Sequence, residues 1–329
     1  MTVIERYLKP DMTLWQGRPD APSGSAMFQI VRPLDLTSVQ PGQLQGPAFG
    51  LLGFACDEGV RRNLGRTGAA SGPPAARRAF ARLPVHRDGV GLYDAGDIHC
   101  DDRNLEASQE TLAAAIARLH ALGLTPILIG GGHELAFGHF LGLTAAYPGK
   151  AIGTVNIDAH LDMRPLIDQK LASSGTPFLQ AAELCQKLGI AFDYTCIGAQ
   201  LSGNSRMLFD TARHHKASVV MAQQLEPSLD SAADRVCRQL GSRNKINYLT
   251  ICLDAFSVAS APGVSAPQAT GLSPVTLLPW LRTWSASGRF KSYDIAELSP
   301  PLDQDHRTER LAAQLIFEIF HNHKFDQST

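Results

Sequence analysis

Ile152-Gly153-Thr154-Val155-Asn156-Ile157-Asp158-Ala159-His160-Leu161-Asp162 runs from an apolar stretch straight into titratable side chains. Asp158, His160 and Asp162 alternate with Ala159 and Leu161. In extended backbone, residues two apart point to the same side, so these three side chains would converge on one point. Two carboxylates and an imidazole suit a borderline or hard divalent ion such as Mn2+, Zn2+ or Fe2+. A helix N-terminus also favours acids. That accounts for one aspartate, but not for three alternating ligands behind a buried strand.

The surrounding chain repeats the arrangement on a larger scale. Short apolar runs at residues 48–55, 91–95, 126–129, 152–157, 194–197, 218–221, 248–253 and 292–295 read as strands. Amphipathic stretches at 74–83, 105–122, 134–146, 177–188, 205–214, 229–240, 274–286 and 307–321 read as helices between them. Strands without a polar face that alternate with helices predict an α/β fold, with a mainly parallel sheet of about eight strands covered on both sides in three α/β/α layers. Residues 1–45, rich in Pro, Gly and Gln, read as an N-terminal arm, and 46–329 as one domain.

Composition narrows the partner. The chain has 329 residues, 44% of them apolar, and a net charge of −1. Neither nucleic acid nor a membrane surface is implied by so balanced a field, and a small molecule is expected instead. No apolar stretch approaches a bilayer span. The six cysteines are scattered without a CxxC pair. With no signal peptide evident, they read as reduced thiols of a cytoplasmic protein.

Ligands of open parallel sheets bind beyond the carboxyl ends of the strands. Those ends are rich in chemistry here. Gly130-Gly131-Gly132-His133 follows one strand, and its glycines let the backbone turn sharply and deliver His133 to the sheet mouth. Neither a Walker lysine nor GxGxxG spacing is present, which argues against a phosphate cradle. Cys252 and Asp254 end another strand, ahead of Ala261-Pro262-Gly263-Val264-Ser265-Ala266-Pro267. Asp294-Ile295-Ala296-Glu297 ends the last.

In order and spacing these motifs resemble the ureohydrolase (arginase/agmatinase) superfamily, from about residue 48 to the end. Within it, the chain looks most like the formimidoylglutamases. Trp15-Gln16-Gly17-Arg18, Gly59-Val60-Arg61-Arg62-Asn63-Leu64-Gly65-Arg66 and Ser173-Ser174-Gly175-Thr176-Pro177-Phe178 carry that likeness. The resemblance implies an arginase-like domain with one or two Mn2+ ions. Carried over by position, His133, Asp158, Asp162 and Cys252 would surround one ion, and Asp158, His160, Cys252 and Asp254 the other. The superfamily usually has aspartate where this chain has Cys252. Thiolate suits Zn2+ or Fe2+ better than Mn2+. A bridging thiolate, one strong site beside one weak site, and a degenerate site all remain open.

The implied reaction is hydrolysis of N-formimidoyl-L-glutamate to L-glutamate and formamide, by metal-activated hydroxide attacking the amidine carbon. Asp162 or Asp254 would carry the proton to the leaving amine, and Glu297 would pair with the amidinium. The acidic substrate calls for cationic and polar partners. Arg61, Arg62, Asn63 and Arg66 in the glycine-rich loop, Ser174, Gly175, Asn204 and Arg206 are the candidates. Competing readings are another guanidino or amidino hydrolase, or a metal-poor member that binds an acidic ligand without turnover. The family commonly assembles as trimers or hexamers, which leaves a homo-oligomer open.

Overall fold

The stretch Ile152–Ile157 is buried at every position, with no side of it left to water. A strand of that kind is stable only between two layers of other structure. The computed structural model describes residues 5–225 and 246–325. In chain order its strands are β1 (Tyr7–Leu8), β2 (Val31–Pro33), β3 (Ala48–Ala55), β4 (Gly91–His99), β5 (Thr125–Gly130), β6 (Ile152–Ile157), β7 (Phe192–Ala199), β8 (Ser218–Met221), β9 (Ile246–Cys252) and β10 (Phe290–Ala296). Its helices are α1 (Met27–Ile30), α2 (Glu58–Arg62), α3 (Gly72–Ala81), α4 (Leu105–Ala121), α5 (Leu135–Ala146), α6 (Pro177–Leu188), α7 (Arg206–His214), α8 (Pro274–Ala286) and α9 (Arg307–Asn322).

Eight strands form a parallel sheet in the order β4-β3-β5-β10-β9-β6-β7-β8. On one face, α3, α8 and α9 bury Phe80, Trp280, Trp284 and Phe320 against Phe49, Ile127 and Ile295. On the other, α4 sets Leu112, Ile116 and Leu119 against Leu52 and Leu128. The three-layer expectation and all eight strand positions hold. The predicted helix at 229–240 lies outside the described residues. Four elements escaped the sequence reading, namely β1, β2, α1 and α2. None is longer than five residues, too short for periodicity to register.

The chain passes from β5 to β6 across two sheet positions that β10 and β9 fill later. The carboxyl ends of β5, β10, β9 and β6 therefore lie side by side, at the point where the strand order reverses. Open α/β sheets keep a crevice there.

The N-terminal arm is not loose. Both β1 and β2 pair with β4, antiparallel and parallel respectively. The Trp15 indole donates from Nε1 to Asp94 Oδ2 at 2.7 Å. Arg77 donates to Asp94 Oδ1 at 3.0 Å and to Asp97 Oδ1 at 2.6 Å. Both Arg77 and Asp94 are buried, so each relies on the other to offset its lost hydration. This explains the Trp15-Gln16-Gly17-Arg18 motif in structural terms: the indole clamps the arm to the sheet edge. Among the described residues, no helix is long and apolar enough to cross a membrane.

Trp15→Phe keeps much of the ring but leaves Asp94 Oδ2 without its donor. Urea denaturation should show a loss of about 2 kcal/mol of stability, the range for an orphaned buried acceptor. A change within about 0.5 kcal/mol, ordinary for a surface site, contradicts the clamp.

Candidate active site

Each of the four central strands delivers its side chains by a different local device. After β5, Gly131 and Gly132 donate their N–H groups to Phe54 O and Cys56 O at 2.7 and 2.9 Å, pressing the loop against the end of β3. A Cβ at Gly131 would collide with the Cys56 carbonyl oxygen, so only glycine permits this approach. His133 follows, fully enclosed. After β6 the chain bends at Ala159 and His160, where the His160 N–H donates to Asp158 Oδ1 at 2.7 Å, and the Asn204 side chain braces it. That amide accepts from Leu161 N at 2.8 Å and donates to Ala159 O at 2.8 Å. Cys252 closes β9, with Asp254 two residues beyond. Glu297 follows β10 with φ 70°, and Asp162 has φ 44°. Left-handed backbone at non-glycine residues costs on the order of 1–3 kcal/mol each and gathers where function demands it.

These side chains meet. His133 Nδ1 lies 2.9 Å from both Asp158 Oδ2 and Asp162 Oδ2. His160 Nδ1 lies 3.5 Å from Asp158 Oδ1 and 3.3 Å from Asp254 Oδ2. Two triads result, each with its ligand atoms within 4.8 Å of one another: His133, Asp158 and Cys252, and Asp158, His160 and Asp254. Asp158 belongs to both. Asp162 joins the first through His133. His133 and Asp162 therefore stand on one side of Asp158, and His160 and Asp254 on the other.

Electrostatics makes this a cation site. Burial opposes charge on His133, yet its hydrogen bonds to Asp158 and Asp162 outweigh that and hold the imidazole well above its ordinary value. Burial is likewise outweighed at His160, by Asp254 and Asp158. The Asp162 carboxyl is pushed up to about 6 by burial and then by the charge of Asp158. Glu297 is likewise raised, by burial and by Asp254. Too many carboxylates share too little water, and positive charge relieves them. Oxygen and imidazole donors fit a divalent ion of the Mn2+ type. Cys252 is the soft exception. Its thiol donates to Asp254 Oδ1 at 2.8 Å, and burial with the surrounding carboxylates pushes it up, so it binds as thiolate only where cation charge displaces its proton.

A cavity of about 330 Å3 opens over this cluster. Asn63, Arg66, Ser174 and Arg164 line it together with His133, His160, Asp162, Cys252, Asp254 and Glu297. Glu297 spends Oε1 on the His133 N–H at 2.9 Å, while its buried Oε2 has no partner among the described residues. Glu297 lines the cavity with one carboxylate oxygen still uncommitted among the described residues.

Comparison with known proteins agrees with this geometry. The arginase family profile matches residues 34–321. The chain belongs to the arginase family. Among its relatives, a formimidoylglutamase of Geobacillus thermodenitrificans is 42% identical over 317 residues, covering 95% of this chain and 96% of that protein. A Legionella pneumophila formimidoylglutamase is 40% identical over 316 residues, covering 96% and 98%. A Trypanosoma cruzi formiminoglutamase solved with Mn2+ superposes with a TM-score of 0.77 at 27% identity, covering 88% of this chain and 99% of that one.

In this arginase-family cavity the expected substrate contacts separate into two groups. Arg66 is in place, its guanidinium held by Ser265 O at 2.9 Å and Val264 O at 2.6 Å. Asn63 donates to Ser174 Oγ at 3.1 Å, and both face the cavity. Gly175 lies beneath the Arg164 side chain, where a Cβ would come within 2.8 Å of Arg164 Cδ. Asn204 reaches the wall, but its amide is spent on the backbone. Arg61, Arg62 and Arg206 are not brought to the cavity. Arg61 pairs with Glu58 at 2.6 Å, and Arg62 pairs with Glu58 at 2.9 Å and Glu106 at 2.6 Å. The Arg206 side chain is 95% exposed on α7. Sequence reasoning missed Arg164. Its guanidinium has no hydrogen-bond or ion-pair partner among the described residues, and it extends the alternation 158, 160, 162 by one more step.

Cys252→Asp exchanges the soft donor for a hard one. Calorimetric titration should show Mn2+ binding tightened at least tenfold, about 1.4 kcal/mol. Unchanged affinity would show that the sulfur already serves as a full ligand.

Proposed function

We propose that this chain hydrolyses N-formimidoyl-L-glutamate to L-glutamate and formamide, using one or two Mn2+ ions held by His133, Asp158, His160, Asp162, Cys252 and Asp254, with Zn2+ or Fe2+ as alternatives. The observation that carries the reading is the cavity's polarity. Its lining sets the carboxyl groups of Asp162, Asp254 and Glu297 beside two guanidinium groups, Arg66 and Arg164. A substrate with a cationic amidinium at one end and two carboxylates at the other matches both. The 42% identical relative, a formimidoylglutamase, supports the same choice. The scattered thiols, free at all five described positions, suit a reducing cytoplasm.

Each residue then has a defined task. Arg164, without a side-chain partner among the described residues, and Arg66, with N–H groups beyond those given to Ser265 O and Val264 O, bind the substrate carboxylates through planar forks. Glu297 Oε2 accepts from the amidinium and sets its carbon over the floor. A bound divalent ion supplies hydroxide near neutral pH by lowering the pKa of water from about 15.7 to about 7. Water adds to the amidine carbon, the bond to the glutamate nitrogen breaks, and that nitrogen must gain a proton. Asp162 and Asp254, both on the cavity wall, are placed to take the proton from water and hand it over. Agmatine, cationic at both ends, is disfavoured by the two arginines.

Release of formamide and glutamate from N-formimidoyl-L-glutamate by Mn2+-loaded protein is the expected result. Turnover of arginine, agmatine or guanidinobutyrate, with none of the formimidoyl compound, overturns the reading. Arg164→Ala should raise KM about 10- to 100-fold while kcat changes little, the loss of one hydrogen bond to a charged group. Arg61→Ala and Arg206→Ala should leave both constants near the parent values. Glu297→Gln, which loses the charge under the amidinium, should lower kcat/KM by about 100-fold.

A further inference from the structure

Behind His133, away from the cavity, a chain of buried polar side chains runs back into the protein. His133 Nε2 lies 2.9 Å from Thr250 Oγ1. The Thr250 hydroxyl donates to Asp294 Oδ1 at 2.5 Å. Asp294 Oδ2 lies 2.6 Å from His139 Nδ1, and His139 Nε2 lies 2.6 Å from Ser292 Oγ. Thr250 and Asp294 are direct partners across β9 and β10, and Ser292 shares the Asp294 face. His139 comes from α5 and lies against Tyr248, with ring centroids 4.4 Å apart. Thr250, Asp294, His139 and Ser292 are all fully buried, and none borders the cavity.

The direction of each bond follows from the donor inventory. A carboxylate only accepts, so Asp294 takes one hydrogen from Thr250 and one from His139 Nδ1. A threonine hydroxyl has a single hydrogen, and here it is committed to Asp294. Toward His133, Thr250 can then only accept. The Nε2 of His133 must therefore carry a proton, so when a cation displaces the proton that Nδ1 shares with the carboxylates, Nδ1 is the atom left to offer a lone pair. Nδ1 is the atom that faces Asp158 and Asp162.

We infer that Asp294 is a positioning residue for the metal centre, acting through Thr250 to keep the His133 proton on Nε2 and Nδ1 open to a cation. The inference rests on the reading that the cluster holds a divalent ion. Partners of this kind, one shell behind the ligands, are worth roughly 10- to 100-fold in metal affinity. It gives a role to Asp294 in Asp294-Ile295-Ala296-Glu297, a motif whose glutamate alone faces the cavity.

Asp294→Asn tests it. An amide nitrogen turned toward Thr250 donates instead of accepting, the hydroxyl swings to His133 Nε2, and the imidazole proton is driven to Nδ1. Mn2+ titration, followed by the electron-spin resonance of the free ion, should show affinity falling about 10- to 100-fold. Far-ultraviolet circular dichroism in chelator would confirm the fold. Should Asp294→Asn not fold, the Thr250 pair decides. Thr250→Val removes the acceptor at nearly constant volume and should weaken Mn2+ similarly, whereas Thr250→Ser keeps the hydroxyl and should stay within about threefold of the parent. A role in packing alone predicts that valine is tolerated as well as serine. Parent protein that binds Mn2+ beside an equally tight Asp294→Asn or Thr250→Val overturns this inference alone. Parent protein that binds no divalent ion overturns the metal reading beneath it.

Discussion

The architecture depends on one shared carboxylate. Asp158 stands at the end of the strand Ile152–Ile157, its N–H donated to Ile197 O at 3.0 Å and its Oδ2 steadied by Asn156 Nδ2 at 3.2 Å. One oxygen turns to His133 and the other to His160. A side chain with that double duty cannot shift without disturbing both triads. The sheet order around it follows the same need. By crossing from β5 to β6 and filling the gap later, the chain brings ligands from distant parts of the sequence to adjacent strand ends.

Electrostatics and strain act on the same few atoms. Burial raises Asp162, Glu297 and Cys252, while the two imidazoles hold Asp158 below its ordinary value against the opposing effect of burial. An isolated group would escape such an environment by neutralising itself. Here the histidine protons share that task, and a divalent ion can take it over. The left-handed backbone at Asp162 and Glu297 adds a local cost, met by the packed layers on either side of the sheet.

Much of this was legible in the residues. Burial-compatible apolar runs located the strands, and a period of two picked out side chains that the structure gathers into the candidate cluster, although the chain bends between them. The same rule reaches Thr250 before Cys252 within β9, whereas Arg164 comes to the cavity past the left-handed backbone at Asp162. The failures have equally specific causes. Arg61 and Arg62 read as free cations in a glycine-rich loop, but Glu58 lies three and four residues before them, the helical spacing for ion pairs. Five residues sufficed for a helix that consumed both charges. Asn204 looked like a donor for substrate, yet the bend after β6 left backbone groups to satisfy, and its amide met them. Glu106, the second partner of Arg62, is 44 positions away, a distance no local pattern spans.

Cys252 is where the chain departs from a uniform set of hard donors, and it stands in the triad with His133 and Asp158. The central claim is that two cation positions flank Asp158. Anomalous diffraction at the manganese edge, from crystals grown with Mn2+, addresses it directly. The account predicts two peaks in contact with Asp158, one toward His133 and Asp162, the other toward His160 and Asp254. Manganese bound elsewhere, or in a position that does not touch Asp158, would contradict it.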